Sequence, residues 1–460
     1  MTAATDPSPT DPLLPTEIDL LIDARWIVPV EPENLLLERH SVAIHQGRIV
    51  ALLPSAEAHQ HFVPRERFEL GEHLLLPGFI NTHTHAAMTL LRGFADDMPL
   101  MRWLNERIWP AENRHVSSRF VRDGTQLACW EMLRGGITCF NDMYFFPQAA
   151  AQAVIEAGMR AALGITVFEF PSAYGSDAED YLAKGLETRD AFADEPLISF
   201  CLAPHAPYTV ADRTFERIAV LADQLDIPIH IHVHETEDEI ADGLKEHGVR
   251  PLERLRRLGL LGPQLIAVHA VHLTNAEIDL LAEHGSHVAH CPTSNMKLAS
   301  GLAPVGALIT KGIGVSLGSD GAASNNRLDM VQEMRQAALL AKLGSHDASC
   351  LPAHRALRMS TLDGARALGL DGEIGSLVPG KAADLCALRL SDWELQPCYD
   401  PVSHLVYVAG REQITHVWVR GKLRIKDTRP VDLDTAALLS KAQNWNSDIM
   451  SSLAEEMQST

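Results

Sequence analysis

The chain has 460 residues, 46% of them hydrophobic, and a formal net charge of −21. That length fits one large barrel with an appended domain rather than a single small domain, and the apolar content can fill a sizeable core. The negative charge argues against nucleic acid as a partner, since phosphates are repelled, and no apolar run is long enough to cross a bilayer. The seven cysteines form no Cys-x-x-Cys pair. Cys129, Cys139, Cys201, Cys291 and Cys386 lie in apolar surroundings and read as buried free thiols of a reducing cytoplasm.

Residues 1–16, rich in Pro, Thr and Asp, read as a flexible tail without the basic start or apolar stretch of a secretory signal. Residues 17–74 carry strand patterns at 19–30, 41–53 and 68–76, with Gly47 suited to a hairpin turn. The last of these leads into Gly78-Phe79-Ile80-Asn81-Thr82-His83-Thr84-His85. In an extended chain His83 and His85 point to the same side, which supplies half of a tetrahedral metal site.

That stretch opens an alternating region, residues 75–370. Further apolar runs at 136–141, 160–166, 197–203, 227–233, 265–269, 287–289 and 313–317 bring the strands to eight. Helical patterns lie between and after them at 116–134, 147–157, 178–194, 212–225, 236–247, 275–284, 304–311, 328–343 and 353–368. The alternation predicts a (β/α)8 TIM-like barrel. A doubly wound sheet is disfavoured, because no Gly-rich phosphate turn follows the first strand. Residues 371–432 return to strand patterns, with Arg420-Gly421-Lys422 as a hairpin. They are expected to join the early strands in a small discontinuous β-sandwich domain built from both chain ends. Residues 433–460 form an amphipathic helix without a basic polar face, expected to pack on the barrel or on a second subunit of a homodimer or higher homo-oligomer.

Active sites of such barrels sit at the C-terminal strand ends. Here the first strand ends in His83 and His85, and the fourth in Pro204-His205. The fifth carries His230, His232 and His234 and is followed by Glu235; the sixth ends in His269, and the eighth in Ser319-Asp320. A polar loop residue explains any one of these endings, but not so many together. His83, His85, one histidine of the fifth strand and Asp320 make three imidazoles and a carboxylate, a donor set suited to one divalent ion, Zn or Fe(II). The three fifth-strand histidines face one way at about 6.6 Å intervals, so only one can stand at metal height.

Pro77 to His85, His232-Val233-His234-Glu235-Thr236, Ser319-Asp320-Gly321-Ala322-Ala323-Ser324-Asn325-Asn326 and Gly375-Ser376-Leu377-Val378-Pro379-Gly380-Lys381-Ala382-Ala383-Asp384 resemble signatures of the amidohydrolase superfamily. Thr89-Leu90-Leu91-Arg92-Gly93, Trp109-Pro110-Ala111-Glu112 and Ser294-Asn295-Met296-Lys297-Leu298 narrow the resemblance. They look like the 5-methylthioadenosine/S-adenosylhomocysteine deaminases, within the group that holds triazine and ammeline hydrolases.

The resemblance implies metal ligation by His83, His85, His232 and Asp320, with His232 chosen by its register against Glu235. Some members bridge two metals with a lysine on the fourth strand; residues 197–203 contain none, so one ion, zinc before Fe(II), is expected. The implied reaction is hydrolytic deamination of the adenine ring of 5-methylthioadenosine, with S-adenosylhomocysteine or adenosine weaker. Glu235 is then the proton shuttle at N1, His269 holds the attacking water, and Asp320 accepts its proton. Glu112 binds the ribose diol and His205 the purine or ribose.

One departure concerns the third strand. The resemblance leads one to expect an arginine at its end, for a zwitterionic substrate tail, but the segment reads Leu163-Gly164-Ile165-Thr166-Val167 and Arg160 lies too deep. That favours the uncharged methylthio group. The rival readings are hydrolysis of a triazine, deamination of another heterocycle such as guanine or cytosine, and a non-catalytic metal-binding scaffold. His230, His272 and His290 read as structural, with His230 deeper than His232; His234 is expected nearer the mouth. Met88, Leu91, Trp103 and Trp109 suit either the pocket or the core.

Overall fold

The computed structural model describes residues 16–459, with side chains as far as residue 453; apart from Thr16, the tail expected at 1–16 lies outside the described residues. The chain begins with β1 (Thr16–Ile27), β2 (Leu37–His45), β3 (Arg48–Pro54) and β4 (Phe62–Pro77). Eight strands then follow: β5 (Phe79–Thr84), β6 (Ile137–Asp142), β7 (Arg160–Val167), β8 (Ile198–Pro204), β9 (Ile229–Val233), β10 (Leu265–His269), β11 (His287–His290) and β12 (Gly314–Leu317). After the barrel come β13 (Leu385–Arg389), β14 (Ile414–Val419), β15 (Lys422–Lys426) and β16 (Arg429–Pro430).

Both chain ends share one sheet, ordered β16-β15-β14-β13-β4-β1-β2-β3. Its centre is β4, which pairs parallel with β1 and antiparallel with β13. The sheet folds back on itself, because the β2–β3 hairpin meets the segment that enters β13. Ala383 N–H donates to Gly47 O (2.9 Å) and Ile49 N–H to Lys381 O (2.9 Å). Leu20, Ile22, Val42, Phe68, Leu75, Leu385 and Trp418 fill the space between as one apolar cluster.

Between Pro77 and Phe79 the chain leaves this sheet and enters the barrel. At the join, Gly78 N–H donates to Asp384 O (3.0 Å), and a Cβ on Gly78 would stand 2.1 Å from Thr138 Oγ1. Only glycine fits there. Strands β5 to β12 are parallel neighbours in sequence order. The ring is drawn together between β12 and β5 by Thr82 Oγ1 donating to Leu317 O (2.9 Å) and Asp320 N–H to His83 O (2.9 Å). Parallel strands covered on both faces need apolar side chains throughout, which is why they read as unbroken apolar runs.

The 353–368 helical pattern is two helices, Ala353–Met359 and Leu362–Ala367. It breaks where Ser360 O leaves the helix ladder to accept Ile80 N–H (2.7 Å), freeing the second helix to close the barrel bottom through Ala365, Ile80 and Ile266. Residues 86–115, left without elements in the sequence reading, hold the 3-10 turn Ala86–Leu91, the helix Leu100–Trp103, a π-helical turn Leu104–Ile108 and the helix Trp109–His115. The C-terminal helix Thr435–Ser459 packs against the helix Ser118–Arg134 of its own chain. Trp445 Nε1 donates to Asp123 (3.0 Å), and its ring stands edge-on to Phe120.

Arg160, at the start of β7, is buried at the barrel bottom and pairs with Asp384 (3.1 Å), which also accepts Arg420 N–H (2.8 Å). Removing one partner strands a buried charge, so Arg160→Leu is expected to cost about 3–5 kcal/mol, read as a lower urea midpoint.

Candidate active site

At the barrel mouth four predicted residues converge. His83 Nε2 lies 3.2 Å from His232 Nε2 and 3.2 Å from Asp320 Oδ1, and His85 Nε2 lies 3.2 Å from the same Oδ1. Ring nitrogens of His83, His85 and His232 all stand within 4.8 Å of one another. Ligands at about 2.0–2.1 Å from a tetrahedral ion are separated by about 3.3 Å, so these spacings fit a shared cation.

The supporting contacts fit as well. His85 Nδ1 faces Met143 O (2.7 Å) and His232 Nδ1 faces His205 O (2.7 Å). A neutral ring facing a carbonyl carries its proton on that side, which leaves each Nε2 lone pair free for a metal. Burial alone would raise the Asp320 carboxyl, but the His83 and His85 rings against its Oδ1 hold it well below the usual range. Its other oxygen, Oδ2, accepts the hydroxyls of Ser294 (2.6 Å) and Ser324 (2.6 Å).

Several of these side chains are aimed by backbone in the left-handed region. His234 (φ 57°), His269 (φ 69°), Ala270 (φ 47°) and Asp320 (φ 62°) lie just after β9, at or after the end of β10, and beyond β12. Such conformations cost non-glycine residues of order 1 kcal/mol or more and cluster at functional sites. The turn at His234 also corrects an expectation. His234 does not extend toward the mouth; the positive φ swings it aside, where its Nε2 accepts Leu252 N–H (3.0 Å).

Glu235 follows that turn, which is pinned by His234 N–H (2.8 Å) and Glu235 N–H (2.9 Å) donating to the Glu239 carboxylate. The Glu235 carboxyl is buried and 3.9 Å from His269 Nε2, and burial raises its pKa. His269 is held through Nδ1 by Asn295 Oδ1 (2.8 Å), and its ring also falls within ligating reach of His83 and Asp320.

Glu112, on the helix Trp109–His115, accepts the Tyr144 hydroxyl (2.6 Å), and burial pushes its carboxyl up to about 7. His205 stacks on Phe168 with ring centroids 4.6 Å apart, and burial drives it down to about 3, so it is neutral.

These groups line one cavity of about 400 Å³, with His85, His232, His269, Glu235 and Asp320 in its floor and Glu112 in its wall. Trp103, Trp109, Phe168 and Phe170 make much of the rest, and Met88 lines it too, whereas Leu91 is absent from the lining. No described lining residue is Lys or Arg. Arg92 is tied instead to Glu131 and Asn326 O. Sequence reasoning gave no role to Tyr144, Ser294, Asn295 or Ser324. The last three lie inside motifs it quoted, and Tyr144 lies two residues beyond the end of β6, outside every motif quoted. His272 bonds Ser300 O (2.7 Å), away from the ligand cluster, and His290 is buried.

The amidohydrolase family profile matches residues 74–424. A protein of Teredinibacter turnerae named 5-methylthioadenosine/S-adenosylhomocysteine deaminase is 48% identical over 94% of this chain and 97% of its own. A 5′-deoxyadenosine deaminase of Methanothermobacter thermautotrophicus is 45% identical over 77% of this chain and 82% of its own. The crystal structure of an adenosine deaminase of Xanthomonas campestris with bound zinc superposes with a TM-score of 0.94 at 50% identity, covering 95% of this chain and 100% of that one. The imidazole and carboxylate cluster at the mouth of a parallel barrel, the sheet made from both chain ends and the profile match lead to one conclusion: this chain belongs to the amidohydrolase family.

Proposed function

We propose that the chain is a metal-dependent deaminase of the adenine ring in nucleosides with an uncharged 5′ group. In this reading 5-methylthioadenosine is the preferred substrate, with adenosine and S-adenosylhomocysteine weaker. The observation that carries the reading is the cavity itself, where His85, His232, Asp320 and Glu235 share one space with the buried carboxyl of Glu112 and with apolar side chains, and no described lining residue is a Lys or Arg. The names and identities of the relatives support the adenine ring as the target.

His83, His85, His232 and Asp320 would hold one divalent ion; the bound zinc of the Xanthomonas structure supports zinc, and Fe(II) suits the same donors. Such an ion supplies Lewis acidity and brings the pKa of water toward neutrality. Glu235, as the acid, gives a proton to N1 while water adds to C6. His269, fixed through Asn295, orients that water. Asp320 takes one water proton and passes it to the departing amino group, and the other returns to Glu235. The balance is one water consumed, one ammonia released and an inosine-type product carrying the proton on N1. Glu112, ionised, accepts both ribose hydroxyls.

A spectrophotometric screen of adenine nucleosides with the zinc-loaded protein tests this through the adenine-to-hypoxanthine absorbance change, with triazines and guanine in parallel. The highest kcat/KM is expected for 5-methylthioadenosine; no ammonia from any nucleoside at full metal occupancy overturns the proposal. Glu112→Ala is expected to raise the nucleoside KM about 10–100-fold, the value of charge-assisted bonds to the diol, and to spare a free base. The Glu112 carboxyl is pushed up to about 7, so its anionic, diol-binding form is present above that pH and lost below it. The wild-type KM should therefore rise as pH falls through 7, and Glu112→Gln should flatten that limb.

A further inference from the structure

Two of the three histidine ligands proposed above are oriented by backbone carbonyls; His83 is not. Its Nδ1 lies 3.0 Å from Nε2 of His230, a fully buried ring lower on β9. The two rings stand with centroids 4.9 Å apart at 60°. For His83 to offer its Nε2 lone pair to a cation, Nδ1 must carry the proton and donate it. The acceptor at hand is His230 Nε2, so His230 must keep its own proton on Nδ1. That Nδ1 is buried and has no hydrogen-bond partner among the described residues. A buried donor left unpaired is costly, and groups of this kind persist where function requires them.

We infer that His230 is a positioning residue for the metal centre, accepting the His83 Nδ1 proton so that His83 Nε2 faces the ion. This rests on the metal site proposed above. An imidazole in place of a carbonyl also ties the choice to one tautomer of His230, whereas His85 and His232 face acceptors that cannot donate.

Zinc affinity, measured by competition with a chromophoric chelator, tests the role without reference to turnover. His230→Leu fills the space and offers no acceptor; affinity is expected to fall about 10–100-fold, as for other partners that orient metal ligands. His230→Gln, whose side-chain oxygen can reach the Nε2 position, should recover most of the loss. His230→Met, flexible and without a strong acceptor, should behave like the leucine variant and replaces it should that one not fold by circular dichroism. Wild-type affinity in the leucine or methionine variant, or no recovery with glutamine, overturns the role of His230 alone. A wild-type protein that binds no zinc overturns the metal site with it.

Discussion

Glutamine in place of Glu235 is expected to lower kcat on 5-methylthioadenosine about 10²–10⁴-fold, the usual worth of a positioned general acid and base. Zinc content and KM should stay near wild type. The substitution keeps the shape and the hydrogen-bonding reach of the side chain, so the turn pinned by Glu239 has no cause to move. What it removes is a proton that can be given to N1 and taken back. Burial raises the Glu235 pKa, an effect opposed by the nearby His269, so the acid form lasts to higher pH than for a solvated glutamate. A group that must be protonated to act loses its action as pH rises through its pKa, so the alkaline limb of kcat belongs to Glu235 in the wild type and should vanish from the residual activity of the variant. Steady-state rates across pH, with metal analysis on the same samples, check both parts. Wild-type kcat in the glutamine variant would move the N1 proton transfer to another group.

What could be read from the sequence follows from what leaves a periodic trace. The barrel strands are buried on both faces, and their apolar runs stood out; β10 coincides with the run at 265–269, and the other runs fall within a residue or two. The spacing of His83 and His85 carried its meaning directly, because strand parity alone puts both rings on one side. Parity could not choose among His230, His232 and His234. Depth along β9 separates the first two, and a positive φ after Val233 turns the third away. The cover over the mouth left no trace, because its pieces, Leu100–Trp103, Leu104–Ile108 and Trp109–His115, are too short to repeat a helical period. Several of its apolar side chains line the cavity instead of marking a core-facing stripe. Ser294, Ser324 and Asn295 were invisible for another reason. Ser294 and Asn295, on the short helix Pro292–Lys297, each meet a partner 26 residues away in the chain, Asp320 and His269, and a lone polar residue says nothing of so distant a partner. Ser324, four residues beyond Asp320, turns back to it only through the fold of the turn.

The largest loss is expected at Asp320. Asparagine there should cut kcat by about 10³-fold or more, beyond the loss of one acid–base group, because zinc affinity falls as well. Asparagine is the informative choice: Asp320 sits at φ 62°, a region asparagine tolerates, so the turn beyond β12 can keep its form. Its Oδ2 is occupied by the Ser294 and Ser324 hydroxyls, and its Oδ1 faces His83 and His85 and also accepts Gly321 N–H (2.8 Å). An amide aimed either way loses the negative charge, and one orientation turns an N–H₂ toward the ion position. The serines can rotate their hydroxyls to suit the amide, so the protein should fold. Ser294→Ala and Ser324→Ala remove only the outer support of the carboxylate, and each should cost about 10–100-fold. This ordering, with Asp320→Asn well below either serine variant in both zinc affinity and kcat, separates a carboxylate that holds metal and accepts a proton from one that merely braces a turn. Chelator competition and turnover on the three variants give the order, and an asparagine variant no worse than the serine variants would assign Asp320 to the brace.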